Sequence, residues 1–141
     1  MTIKRDAILR GIAAAAEVHE SLGLRDTLSD GARSVDVLQA IRDFGLFLLF
    51  RPLKTILGAY VPVGKIAGIL VTTQRDAHVQ RLTAAHELGH HVMKHTAASM
   101  DADVGFVARG ATAQYDVQEL EADAFASEFL LPKWLIVSHA K

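Results

Sequence analysis

The stretch Ala85-His86-Glu87-Leu88-Gly89-His90-His91 constrains this chain more than any other. It contains His-Glu-x-x-His. On an α-helix, residues i and i+4 sit about 40° apart on one face, so His86 and His90 can point at a single ion. Neutral imidazole nitrogens are good zinc ligands. Glu87 falls about 100° from His86, close to such an ion without being forced onto it, where a general base for water belongs. Three fixed positions in five also recur by chance in ordinary helices, so the flanking residues matter. Leu82, Ala85, Gly89, Val92 and Met93 fall in one sector of the helical wheel, with His86 and His90 at its edge and Glu87 just beyond. Asp76 is a candidate N-cap, which sets the helix at about 77–95. His91 and His95 project about 140° and 180° from His86 and read as surface or outer residues.

A zinc enzyme of this type needs a third protein ligand and an open fourth position. The best supplier is Gln118-Glu119-Leu120-Glu121-Ala122-Asp123-Ala124-Phe125-Ala126-Ser127-Glu128-Phe129, a predicted helix over about 116–131 that Pro132 ends. Ala122, Phe125, Ala126 and Phe129 follow i, i+3, i+4, i+7 and form its core face. Glu119 and Asp123 share one edge of that face, whereas Glu121 and Glu128 group on the opposite, solvent side. Glu119 is therefore preferred as third ligand over Glu121. Asp123, one turn on, is placed to accept a hydrogen bond from a ligand histidine. The competing reading is a plain acidic amphipathic helix, which leaves the ligand position of the first motif unfilled.

Together these motifs resemble those of the ImmA/IrrE family of small zinc metallopeptidases. The resemblance rests on Thr83-Ala84-Ala85-His86-Glu87-Leu88-Gly89-His90-His91 with His95 trailing, and on Glu119-x-Glu121-Ala122-Asp123-x-Phe125-Ala126 running into Leu130-Leu131-Pro132. With the preceding Gly68-Ile69-Leu70-Val71 it covers roughly residues 35–133. In that family the first glutamate of the second motif is the third ligand, which implies Glu119. The resemblance also implies one zinc per chain and a helix-turn-helix repressor or antitoxin-like protein as substrate or partner. Many relatives carry their own helix-turn-helix domain; with about 35 residues ahead of the matching region, the expectation here is a separately encoded partner. An edge strand beside the metal helix commonly pairs with extended substrate in such enzymes, and 66–72, with Gly68, Ile69 and Leu70, is the candidate.

Half of the 141 residues are hydrophobic, enough for one domain over 1–141, with a helical segment at 1–34 and a core at 35–133. The formal net charge of −1 gives no electrostatic support for direct nucleic-acid binding. The absence of cysteine excludes disulfides and a thiolate metal site. No signal peptide or membrane-length apolar run is visible, which reads as a soluble, cytoplasmic protein without membrane contact. Residues 4–22 suggest an Ala-rich helix packed through Ile8, Ile12, Ala15 and Ala16, and Asp36–Phe44 a second helix with Val37, Leu38 and Ile41 inward. Leu46–Phe50 reads as a buried strand, and Ala59–Val63 as a strand that Pro62 restricts to an edge or a break. Ile66–Thr72 is the clearest strand. The fold class is α+β: a small antiparallel sheet of about three strands packed on helices. Residues 24–34 and 96–115 read as loops, and Trp134–Val137 as an apolar tail.

The reaction this implies is hydrolysis of a peptide bond, with Glu87 moving the proton of a zinc-activated water. Tyr115, Arg109 and Tyr60 are candidate donors to the oxyanion. Manganese or iron are alternative ions, although two imidazoles and a carboxylate suit zinc. The alternative function is a zinc-stabilised binding module that controls its partner by docking.

Overall fold

A computed structural model describes residues 2–24, 35–95, 99–102 and 113–132, with side chains from 117 onward in the last segment and backbone alone at 99–102. The elements are α1 (Thr2–Ser21), α2 (Val37–Asp43), β1 (Phe47–Arg51), β2 (Ile56–Val63), β3 (Ile66–Thr72), α3 (Ala77–Val92), β4 (Ser99–Ala102) and α4 (Ala113–Leu130). Arg109, the tail at Trp134–Val137 and the loop from residue 25 to 34 lie outside the described residues. Among the described residues no helix is long and apolar enough to cross a membrane.

The α+β class holds, but the sheet differs from the expected one. It has four strands in the order β1-β3-β2-β4. β3 runs parallel to β1 and antiparallel to β2, and β4 joins β2 antiparallel. The sheet is therefore mixed, and its fourth strand comes from a segment that reads in sequence as loop. Strand periodicity identifies a strand but not the direction of its neighbour. β1 is an edge strand: Phe47 and Leu49 are exposed, while Leu48 and Phe50 pack against the core. Pro62 sits in an interior strand, yet β4 pairs only with the first half of β2, from Ile56 to Tyr60. Pro62 has Ala67 of β3 as its ladder partner, so its missing N–H falls beyond the reach of β4.

Two helices, α3 and α4, carry the site. Asp36 and Asp76 cap α2 and α3, each accepting a backbone N–H three residues on, from Gln39 at 3.1 Å and Val79 at 3.0 Å. Residues 83–90 of α3 are buried on every side, because the helix is enclosed by β2, β3 and α4 together. The helical wheel predicts a single buried stripe, and Leu82, which it assigns to that stripe, is exposed. The core face of α4 is the predicted one: Ala122, Phe125, Ala126 and Phe129 are all buried.

α1 packs on α4 through a face that the hydrophobic pattern does not pick out. Ala7, Gly11, Ala15, Val18 and His19 are inward, whereas Ile8, Ile12 and Ala16 are exposed. Small residues win here because they let two helices approach closely. A Cβ at Gly11 would press on the Glu121 carbonyl oxygen and stand 2.8 Å from the Ala124 Cβ and 2.9 Å from the Phe125 N. Gly11→Ala gains roughly 1 kcal/mol of helix propensity. The clash is with backbone that cannot swing aside, and overpacking costs about 1–3 kcal/mol or more. A net loss of stability is expected, read as a lower denaturant midpoint at unchanged m-value. His19 is also inward: it is buried, stacks on Phe129, and its Nε2 donates to the Phe129 carbonyl at 3.0 Å, satisfying an orphan carbonyl in the last turn of α4.

Candidate metal centre

The helix α3 presents His86 and His90 one turn apart, and α4 crosses it so that Glu119 lies between their rings. His86 Nε2 stands 3.0 Å from Glu119 Oε2, His90 Nε2 stands 3.2 Å from Glu119 Oε1, and the two Nε2 atoms are 3.2 Å apart. All three residues are buried, and together they could hold a metal ion. Burial raises the Glu119 pKa, but where the two rings donate Nε2–H to it and carry charge they outweigh burial and hold the carboxyl well below the usual carboxylate range.

The positions of the protons on the two rings decide whether this set fits a metal. His86 Nδ1 lies 2.8 Å from Asp123 Oδ1, and the carboxylate accepts, so Nδ1 carries the proton. His95 Nε2 lies 2.8 Å from Glu121 Oε1, and donates to it for the same reason. Burial pushes the His95 pKa down, against the Glu121 hydrogen bond, favouring the neutral ring. A neutral His95 then offers only a lone pair at Nδ1, so His90 Nδ1, 2.7 Å away, is the donor. Neutral His86 and His90 thus both turn bare Nε2 lone pairs toward an ionised Glu119. Three lone-pair donors converging in a buried space repel unless a cation sits among them, or unless both rings are protonated. Tetrahedral coordination at about 2.0–2.1 Å places ligand atoms about 3.3 Å apart, close to the spacing found. The residues fit a zinc-sized ion.

Glu87 is fully buried. It faces β2 at Gly58, where a built Cβ would stand 3.6 Å from Glu87 Oε2. A cleft of about 310 Å³ opens on His86 and Asp123, and its walls are Leu57, Val79, Leu82, Thr83, Ala126 and Ser127. This explains why Leu82 is exposed. A larger groove of about 500 Å³ lies between α1 and α4, lined by Ile8, Ile12, Leu120, Ala124 and Leu131 among others, but it contains none of His86, His90 and Glu119. The smaller cleft is the one that matters to the chemistry.

The structure brings together His86, His90, Glu119 and Asp123 among the residues selected from the sequence. It does not support the edge-strand assignment. Gly68, Ile69 and Leu70 pair with Phe47, Leu48 and Leu49 on one side and with Val61, Tyr60 and Ala59 on the other. β3 is interior, with its main-chain groups already engaged on both sides, so it cannot receive another strand. Beside β2 the outer strand is β4. The Tyr60 hydroxyl lies 3.0 Å from His91 Nδ1. The Tyr115 side chain lies outside the described residues.

Wheel geometry misplaces two residues. Glu121 is buried, not on a solvent face, and accepts from Arg10 Nε at 2.6 Å. His95 is buried beside His90. The wheel fails for His95 because α3 ends at Val92. Lys94 takes a left-handed φ of 59°, and the N–H groups of Lys94 and His95 donate to the carbonyls of His91 and His90. That reversal is a Schellman turn, with lysine where glycine is usual. It folds His95 back onto the last turn. A trailing histidine five residues after the motif is the available signal.

A family model described as the IrrE N-terminal-like domain, Peptidase_M78, matches residues 41–136. No curated protein matches the chain.

Proposed function

The chain belongs to the IrrE N-terminal-like, Peptidase_M78 family, and from that premise we propose that it is a zinc-dependent endopeptidase of the cytoplasm. Its substrate would be a separately encoded regulatory protein of the helix-turn-helix repressor or antitoxin kind. The observation that carries the reading is the convergence of His86 Nε2, His90 Nε2 and the Glu119 carboxylate, with the donor groups of both rings already engaged elsewhere. His86, His90 and Glu119 would hold the ion, and Asp123 would fix the His86 ring.

A bound zinc supplies Lewis acidity, lowering the pKa of water toward about 7 and polarising the scissile carbonyl. Glu87 takes a proton from the attacking water and returns it to the leaving amine as the C–N bond breaks. Its burial favours this role, since a base shielded from bulk water transfers its proton locally. The apolar walls of the cleft, Leu57, Val79 and Leu82, would receive a hydrophobic side chain of the substrate. With β3 interior, β4 takes over as the strand along which an extended peptide would add, because main-chain pairing is indifferent to peptide sequence.

The purified chain is expected to carry about one zinc per molecule by mass spectrometry. It is expected to cut a helix-turn-helix regulator encoded beside it, with chelation stopping the cut and added zinc restoring it. A protein that takes up no metal under these conditions would sink the reading.

A further inference from the structure

We propose that α1 is a working part of the metal centre: Arg10 holds Glu121, Glu121 holds His95, and His95 fixes the ring of His90. The inference deepens the metallopeptidase reading and rests on it. Its components are four side chains in series. Arg10 Nε donates to Glu121 Oε2 at 2.6 Å, His95 Nε2 donates to Glu121 Oε1 at 2.8 Å, and His90 Nδ1 donates to His95 Nδ1 at 2.7 Å. His90 Nε2 then faces Glu119. Arg10 lies outside residues 41–136, the region that the family model matches.

With His95 and His90 as neutral rings, each hydrogen bond sets the direction of the next. Arginine only donates and an ionised carboxylate only accepts, so Glu121 is fixed as an acceptor of two N–H groups. That requirement keeps the His95 proton on Nε2. With its Nδ1 bare, His95 can accept only from His90 Nδ1–H, which leaves the His90 Nε2 lone pair free to bind a metal. Without the Glu121 acceptor, the His95 proton is free to move to Nδ1. It would then oppose the His90 Nδ1–H, and relief puts the His90 proton on Nε2, the ligand atom itself. Glu121 therefore sets two tautomers in sequence. Partners of this kind behind a ligand histidine typically change metal affinity 10–100-fold.

Arg10 would be an ordinary surface ion pair if Glu121 were exposed, and such pairs contribute little. The Arg10 side chain is 50% exposed, but that of Glu121 is 11% and that of His95 is 5% exposed. The guanidinium is the exposed end of an otherwise buried chain. The close packing at Gly11 brings α1 against the turn of α4 that bears Glu121, which places Arg10 within reach.

The test is zinc affinity of the full chain, measured by competition with a chromophoric chelator, beside thermal unfolding. Glu121→Gln is expected to raise the zinc Kd about 10–100-fold. Arg10→Met is expected to raise it several-fold, and Arg10→Lys, which keeps a charged donor, to recover most of that loss. Arg10 is half exposed, so its variants are expected to fold even where a Glu121 variant does not. Val18→Ala supplies the control, since Val18 is a buried core residue of α1 that is not a member of the series. It is expected to lower Tm while leaving the zinc Kd unchanged. Zinc binding by the wild type that neither Arg10→Met nor Glu121→Gln weakens would overturn this inference and leave the metal centre standing. A drop in affinity for Val18→Ala equal to that of Arg10→Met would also overturn it, reducing Arg10 to packing. Failure of the wild type to bind zinc would overturn the metal reading itself.

Discussion

Glu87→Gln is expected to leave a folded, metal-loaded protein that no longer hydrolyses its substrate. The amide matches the carboxylate in shape, so the buried space between α3 and β2 stays filled. His86, His90 and Glu119 are untouched, so metal content should remain about one per chain. What disappears is the proton acceptor, because an amide oxygen is far too weak a base to take a proton from water. General-base catalysis typically contributes 10²–10⁴-fold, and a fall of at least about a hundredfold is expected. Single-turnover cleavage of the partner protein, with metal analysis on the same preparation, reads both quantities. Cleavage at the wild-type rate would remove Glu87 from the mechanism. Loss of cleavage with full control of the partner retained would move the function to docking.

Phe125→Ala carries the largest expected loss of stability. The ring is fully buried, stacks on Phe129 at 5.4 Å, and lies against Gly89, where a built Cβ would stand 3.0–3.2 Å from the Phe125 side chain. Gly89 sits between His86 and His90, so this contact sets the distance between the helix that carries the imidazoles and the one that carries Glu119. Truncating a buried phenylalanine costs about 3–5 kcal/mol, a large share of the roughly 5–15 kcal/mol that holds a domain folded. The expected fall in Tm is about 10 °C or more at this size. Metal affinity should fall with it, since the cavity allows the two helices to shift. Phe125→Leu, which keeps most of the volume, should lose much less. A loss under about 1 kcal/mol for the alanine variant would show that the α3–α4 spacing does not depend on this ring.

Much of the site is legible in the amino-acid sequence. The i, i+4 spacing of His86 and His90 and the spacing of Glu119 to Asp123 are local properties of single helices, and a helix carries such geometry wherever it packs. The same holds for the Asp76 cap and for the buried face through Ala122, Phe125, Ala126 and Phe129. The inward face of α1 is not legible, because hydrophobicity selects Ile8 and Ile12, while close helix packing selects Gly11 and Ala15.

What the sequence by itself determined is therefore the chemistry within each helix: which residue types are present, at what spacing, on which edge. Tertiary structure alone decided the rest. It placed β3 between two strands rather than at an edge, because pairing direction is set by contacts between segments and leaves no trace in either one. It turned Glu121 inward, because α1 covers that side of α4, and it brought His95 onto His90 through a left-handed residue at Lys94. The first two outcomes depend on the approach of elements distant in the chain, and the free energy of that approach belongs to the pair rather than to either sequence segment; the turn at Lys94 is local, but a lysine does not announce a left-handed residue.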